Sequence, residues 1–99
     1  MIGAASARMA ADSEPFTFTD EELDLLARAE HERWMRERLD HGWRAGPERD
    51  NEALVHPDIR EYDDLSRESK DKDIQAVLLI PELLATAGYR IVRSGARPA

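Results

Sequence analysis

The 99-residue chain contains no cysteine, which removes disulfides, thiolate nucleophiles and Cys-based zinc sites together and makes an intracellular protein the default expectation. It also lacks long apolar runs. Nothing approaches the ~20 consecutive apolar residues of a bilayer-spanning helix. Met1–Ala11 has neither the basic start nor the hydrophobic stretch of a secretory signal. A cytoplasmic protein with no membrane partner is expected. There is no basic excess either: 14 Lys and Arg stand against 21 Asp and Glu, for a formal net charge of −7. Without a cationic surplus to displace counterions from phosphates, general nucleic-acid binding is not expected.

Familiar catalytic patterns are missing too. There is no phosphate loop, no Gly-x-Gly-x-x-Gly turn and no Gly-x-Ser-x-Gly elbow around Ser66 or Ser69. The three histidines, at 31, 41 and 56, do not have short metal-ligand spacing. Glu30, His31 and Glu32 are consecutive, so on a helix they point in different directions. The expectation is a non-catalytic protein with no cofactor and no metal. A nucleotide hydrolase built on His31, or on His56 with Asp50 or Asp58, is the enzyme alternative.

What is present reads as one domain of 19–93 between a flexible lead, 1–18, and a flexible tail, 94–99. Thr19 and Glu22 have capping-box spacing, with Phe18 and Leu23 in the staple positions. Acids at 20, 21, 22 and 24 suit the positive end of a helix dipole. Arg28–Glu32, Glu32–Arg36 and Arg33–Glu37 are i,i+4 pairs on the same helix. Gly42 stops it, so a helix is expected over about 20–41. Residues 42–65 have loop chemistry, with one possible helical turn near Asp63–Leu65. A connection that long in a small domain tends to be functional. Ser66 caps a second helix, interrupted or restarted at Ile80–Pro81 and ended by Gly88. Tyr89–Val92 reads as a short strand. The fold class is mainly α with a short β element (α+β): two antiparallel helices, a long ordered loop and a short C-terminal strand.

One helix face departs from simple burial. Leu23, Leu26, Ala27, His31, Trp34 and Arg38 follow helical spacing, apolar above and aromatic, imidazole and guanidinium below, and Trp43 follows the stop glycine. A tryptophan lines a pocket or stacks on a planar ligand, and arginine offers a flat fork of donors to phosphate or carboxylate. The bland alternatives stand beside these. Trp34 also reads as a core anchor, His31 as a hydrogen-bonded structural histidine and Arg38 as half of an internal salt bridge. Arg49–Asp50 also reads as a loop ion pair, His56–Pro57 as a turn, and Tyr62 and Tyr89 as core aromatics.

The run His31-Glu32-Arg33-Trp34-Met35, then Arg38, Gly42-Trp43, Gly46, Arg49-Asp50, His56-Pro57, Tyr62, Leu65-Ser66, Lys70, Asp73 and Gly88-Tyr89-Arg90-Ile91 resembles the ryanodine-receptor (RyR) domain. The likeness covers about residues 21–92. It departs at Ala45, where channel repeats usually carry an aromatic, and at Asp73-Ile74, where many prokaryotic members have Asp-Arg. The resemblance implies two antiparallel helices followed by short strands, no catalysis, and a single-domain prokaryotic or phage member. It further implies a homodimer that covers the C-terminal edge strand, and the sensing of nucleotide-derived signals in phage conflict. The expected partner is a small anionic nucleotide or ADP-ribose-like ligand, with His31, Trp34, Arg38, Trp43, Arg49, His56 and Tyr62 as its binding residues. A protein–protein interaction module, with the same residues as core, is the alternative.

Overall fold

The computed structural model describes residues 16–95. The first fifteen residues of the expected lead and the end of the expected tail, from 96, lie outside the described residues. Helix α1 is Asp20–Asp40. Its start is the reciprocal cap read from the sequence: Glu22 N–H donates to Thr19 Oγ1 at 3.1 Å, and Thr19 N–H donates to Glu22 Oε1 at 2.9 Å. At its end Gly42 N–H donates to the Leu39 carbonyl and Trp43 N–H to the Arg38 carbonyl. This is a Schellman stop, and it needs the positive φ of 89° that Gly42 supplies. Arg33–Glu37 forms at 3.5 Å, whereas Arg28 turns away from Glu32 to Asp24 at 3.0 Å and Asp63 at 2.8 Å. The second of these ties α1 to the loop, which helical spacing could not reveal.

The loop is closed by short elements. Strands β1, Arg44–Ala45, and β2, Val55–His56, pair in parallel, and Asp50 bridges Val55 on the other side. Asp50 also accepts from Glu52 and Ala53 N–H, so its carboxylate closes the turn; Arg49 donates instead to Asn51 Oδ1. Leu54 sits at φ 60°, left-handed backbone that costs a non-glycine residue about 1 kcal/mol. Gly46 lies so close to β2 that a Cβ there would collide with Val55 Cγ1. Gly46→Ala is therefore expected to cost about 1–3 kcal/mol by forcing the strands apart. Thermal melting checks this, and an unchanged melting temperature would count against the close approach.

A 3-10 turn, Tyr62–Asp64, precedes helix α2, Arg67–Leu78, which Ser66 caps by accepting from Ser69 N–H. Helix α3, Ile80–Thr86, restarts at once with Pro81 in its first turn, where the missing N–H costs nothing. Gly88 and Tyr89 close it with a second Schellman pair to Ala85 and Leu84.

Two expectations change. There are three α-helices among the described residues, because Pro81 divides the second into two. The C-terminal strand does not form: no described strand lies beside Tyr89–Val92, and Tyr89 and Val92 are 66% and 71% exposed. A period-2 run becomes a strand only where a neighbour offers a ladder, and here the Tyr89 N–H is spent on the helix stop. The β element is instead the parallel pair inside the loop, so there is no C-terminal edge to cover.

α1 packs chiefly on α2, and the core between them is thin. Ala27, Leu65 and Val77 are the buried hydrophobic residues among those described, and His31 is buried with them at 2% exposure. The C-terminal segment returns to the start of α1, where Arg93 grips Glu22 through two 2.6 Å contacts, donates to the Thr17 carbonyl and lies over Phe16. That guanidinium, with the Thr19 cap, lowers the Glu22 carboxyl from its ordinary 4.5 to about 2. A depressed carboxyl contributes stability that is fully present above its unfolded value and lost as pH falls through its folded one. Glu22→Gln should therefore melt below the wild type at neutral pH, with the difference closing between about pH 4.5 and pH 2. A difference that persists to pH 2 would exclude this linkage.

Candidate functional site

Six of the seven residues expected to bind a ligand form one continuous ladder of rings and cations. His31 lies one turn below Ala27, and Trp34 and Arg38 follow on the same α1 face. The His31 and Trp34 rings stack at 5.8 Å with planes 21° apart, and Tyr62 meets His31 edge-on at 6.1 Å. His56, delivered by β2, meets Trp34 edge-on at 4.9 Å and lies 6.1 Å from Trp43. Arg38 sits between the two tryptophans, its guanidinium carbon 5.6 Å from the Trp34 ring and 5.3 Å from Trp43. At the far end Arg28 and Lys70 lie over the Tyr62 ring at 4.9 and 5.5 Å. Arg49 stands outside the ladder, exposed and bonded to Asn51.

The protons on the two ladder histidines can be placed. Nε2 of His31 is 2.7 Å from the Arg60 carbonyl, which can only accept, so Nε2 carries a proton. Nδ1 faces Asp73 Oδ2 at 3.4 Å, and the two hold together when a proton lies between them. Burial raises the Asp73 carboxyl above its ordinary value, and the charge of His31 opposes that rise. On His56, Nδ1 accepts from Asp58 N–H at 3.1 Å, so Nε2 bears the ring proton. Burial lowers the His56 imidazole; Asp58 opposes this, while Arg49, Arg38 and Lys72 push in the same direction as burial. Three cations thus act on one ring in a chain of net charge −7. Asp58 is itself fixed by Ser69 Oγ at 2.8 Å, which anchors the loop to the start of α2.

Arg38 is the unusual member. Its Nε is buried without a hydrogen-bond partner, and no carboxylate among the described residues pairs with it. The internal salt bridge open to it from the sequence is therefore not made there. Two depressions flank the ladder. One, of about 640 Å³, is lined by Ala45, Gly46, Pro47, Pro57, Ile59, Arg60 and Asp64. The other, of about 230 Å³, runs along Arg28, His31, Met35 and Tyr62. No cluster of three or more potential metal ligands occurs among the described residues, and none of their helices is long and apolar enough to cross a membrane.

Across residues 18–93 the sequence matches the RyR domain. The chain belongs to the RyR domain family. No curated protein matches it. The matched segment begins at the hydrophobic staple of α1 and ends at Arg93, the residue that clamps the C-terminal segment to Glu22. In this RyR domain the ladder joins α1, β2 and the 3-10 turn, and the histidine at its centre lies against α2.

Sequence reasoning passed over Asp73 and the Arg60 carbonyl as site groups. A backbone carbonyl leaves no mark in the sequence. Asp73 did leave one: it lies four residues before the core Val77, as Ala27 lies four before His31, so an acid and a histidine share the two core-facing stripes.

Proposed function

We propose that this RyR domain is a non-catalytic binding module, acting in the cytoplasm, for a small anionic nucleotide or ADP-ribose-like ligand, with Arg38 as the anion-binding group. In this reading α1 and α2 form an antiparallel pair that serves as scaffold for the loop. The supporting observation is the guanidinium held between Trp34 and Trp43 with no carboxylate among the described residues and a buried, unpartnered Nε. A buried donor left unsatisfied costs about 1–3 kcal/mol, and an oxyanion that meets it recovers that energy. Arg49 and Lys72, which already act on His56, add to the local positive potential. Trp34 and Trp43 wall the site, and His56 and Tyr62 supply polar contacts. Calorimetry against adenine nucleotides, cyclic dinucleotides and ADP-ribose tests the reading. It expects saturable binding to at least one of them, and a flat response across the panel from folded protein overturns it.

One observation favours the second reading, an interaction module with the motif residues as core. The ladder rings pack on one another, and neither depression is lined by Trp34, Arg38, Trp43 or His56. In that reading Arg38→Ala lowers the melting temperature, and no small molecule raises it.

A further inference from the structure

His31 faces two hydrogen-bond acceptors and, when neutral, has one N–H to give them. Nε2 lies 2.7 Å from the Arg60 carbonyl and Nδ1 3.4 Å from Asp73 Oδ2, with the imidazole 3% exposed. The neutral ring satisfies the carbonyl and turns a bare Nδ1 lone pair toward the carboxylate. One further proton makes both contacts attractive, whether it sits on the ring or on the acid. The surroundings favour holding it. His31 stacks on Trp34, a face that attracts a cation. Burial favours a proton on Asp73, and Glu30 of α1 and Asp58 of the loop add to that. Glu32 and Glu61 line the depression beside His31. Against them stand Arg28 and Lys70, both over the Tyr62 ring that meets His31. Arg28 is paired with Asp24 and Asp63, and Arg60 turns its guanidinium to the Pro57 carbonyl.

The pair sits where three elements join. Asp73 and Ser69 are i,i+4 neighbours on α2. Ser69 Oγ donates to Asp58 Oδ2 at 2.8 Å, and Asp58 N–H donates to His56 Nδ1 at 3.1 Å. His56 in turn meets Trp34, the ring on which His31 stacks. Asp73 therefore grips α1 directly, while Ser69 on the same α2 face grips the loop that returns to α1. A movement of α2 at Asp73 reaches His56 through Ser69 and Asp58.

We propose that the His31–Asp73 pair is a proton-operated latch between α1 and α2, which holds the loop residues of the ladder in place with its proton and releases them without it. Once the proton is gone, Nδ1 and the carboxylate repel, while the shorter bond to Arg60 persists. α2 is then the element that parts from α1. Stability conferred by a bound proton is lost as pH rises through the value at which the pair gives it up. The latch needs no ligand, so it stands apart from the anion reading.

Imidazole ¹⁵N shifts of the labelled 99-residue chain from about pH 5 to pH 9, with urea unfolding at each pH, test it. The His31 Nδ1 signal should pass to that of a bare nitrogen as pH rises. The Asp58 and Ser69 amide and the Trp34 indole N–H signals should move at the same midpoint. In Asp73→Asn the amide donates to a neutral Nδ1, which keeps the latch closed without the extra proton. Relative to that variant, the wild-type folding constant should fall about tenfold or more over the range, the worth of one charge-assisted hydrogen bond. Every other titrating group is common to the two chains and cancels in the comparison. A His31 ring that keeps one protonation state throughout, or that titrates while those N–H signals stay still, overturns the latch. So do wild-type and Asp73→Asn stabilities that change in parallel. If Asp73→Asn does not fold, the wild-type titration decides alone.

Discussion

Replacing His31 by alanine is expected to destabilise the fold by about 3 kcal/mol, the cost of breaking a buried polar pair by removing one member. The imidazole is 3% exposed and serves two elements at once, the loop through the Arg60 carbonyl and α2 through Asp73. Its loss leaves a largely buried carboxylate and a carbonyl without their partner, and opens a void beside Trp34 and Tyr62. Asp73→Asn should cost much less. An amide N–H can donate to Nδ1 while Nε2–H continues to donate to Arg60. Replacing both by leucine, His31→Leu with Asp73→Leu, should recover part of the loss, because no charge is then left buried although the Arg60 carbonyl still lacks its donor. Urea unfolding at neutral pH measures all three. A cost below about 1 kcal/mol for His31→Ala would mean that the pair does not hold the helices.

Arg38→Ala is expected to weaken binding of a responsive nucleotide by about 100-fold, or ~2.7 kcal/mol, while leaving the fold intact. The stability it loses is two cation–π contacts, about 0.5–1 kcal/mol each. Removing the buried, unpartnered Nε offsets part of this. Arg38→Lys keeps the charge but not the planar fork, so it should fall between the two. Calorimetry and melting on the same samples separate the outcomes. Weakened binding with near-native melting supports a site; a fall of many degrees in melting temperature returns Arg38 to the core.

The helices were legible because their signals are local. Thr19 with Glu22, Ser66, Gly42, Pro81 and Gly88 each act within a turn of themselves, and each marks an observed start, stop or restart. The strand at Tyr89–Val92 was misread because pairing depends on a neighbour elsewhere in the chain. The parallel pair Arg44–Ala45 with Val55–His56 escaped notice because two residues are too few to show a period. Within the ladder, the α1 members could be grouped by spacing alone. His56 read from the residues alone as a turn or an acid–base candidate and Tyr62 as a core aromatic; nothing local to either marks them as neighbours in the ladder, and the resemblance grouped them with its α1 members. Arg28 shows the same limit. Spacing paired it with Glu32, whereas the structure pairs it with Asp24 on the helix and with a distant loop acid, Asp63.

The Arg38 guanidinium has a resonance that reports directly on whether it meets the anion. Titrating a nucleotide that gives calorimetric heat into ¹⁵N-labelled protein should move the Arg38 Nε–H signal and the Trp34 and Trp43 indole N–H signals together, saturating at one affinity. Saturable binding that leaves those three signals in place while others move would contradict the assignment of Arg38 as the anion-binding group.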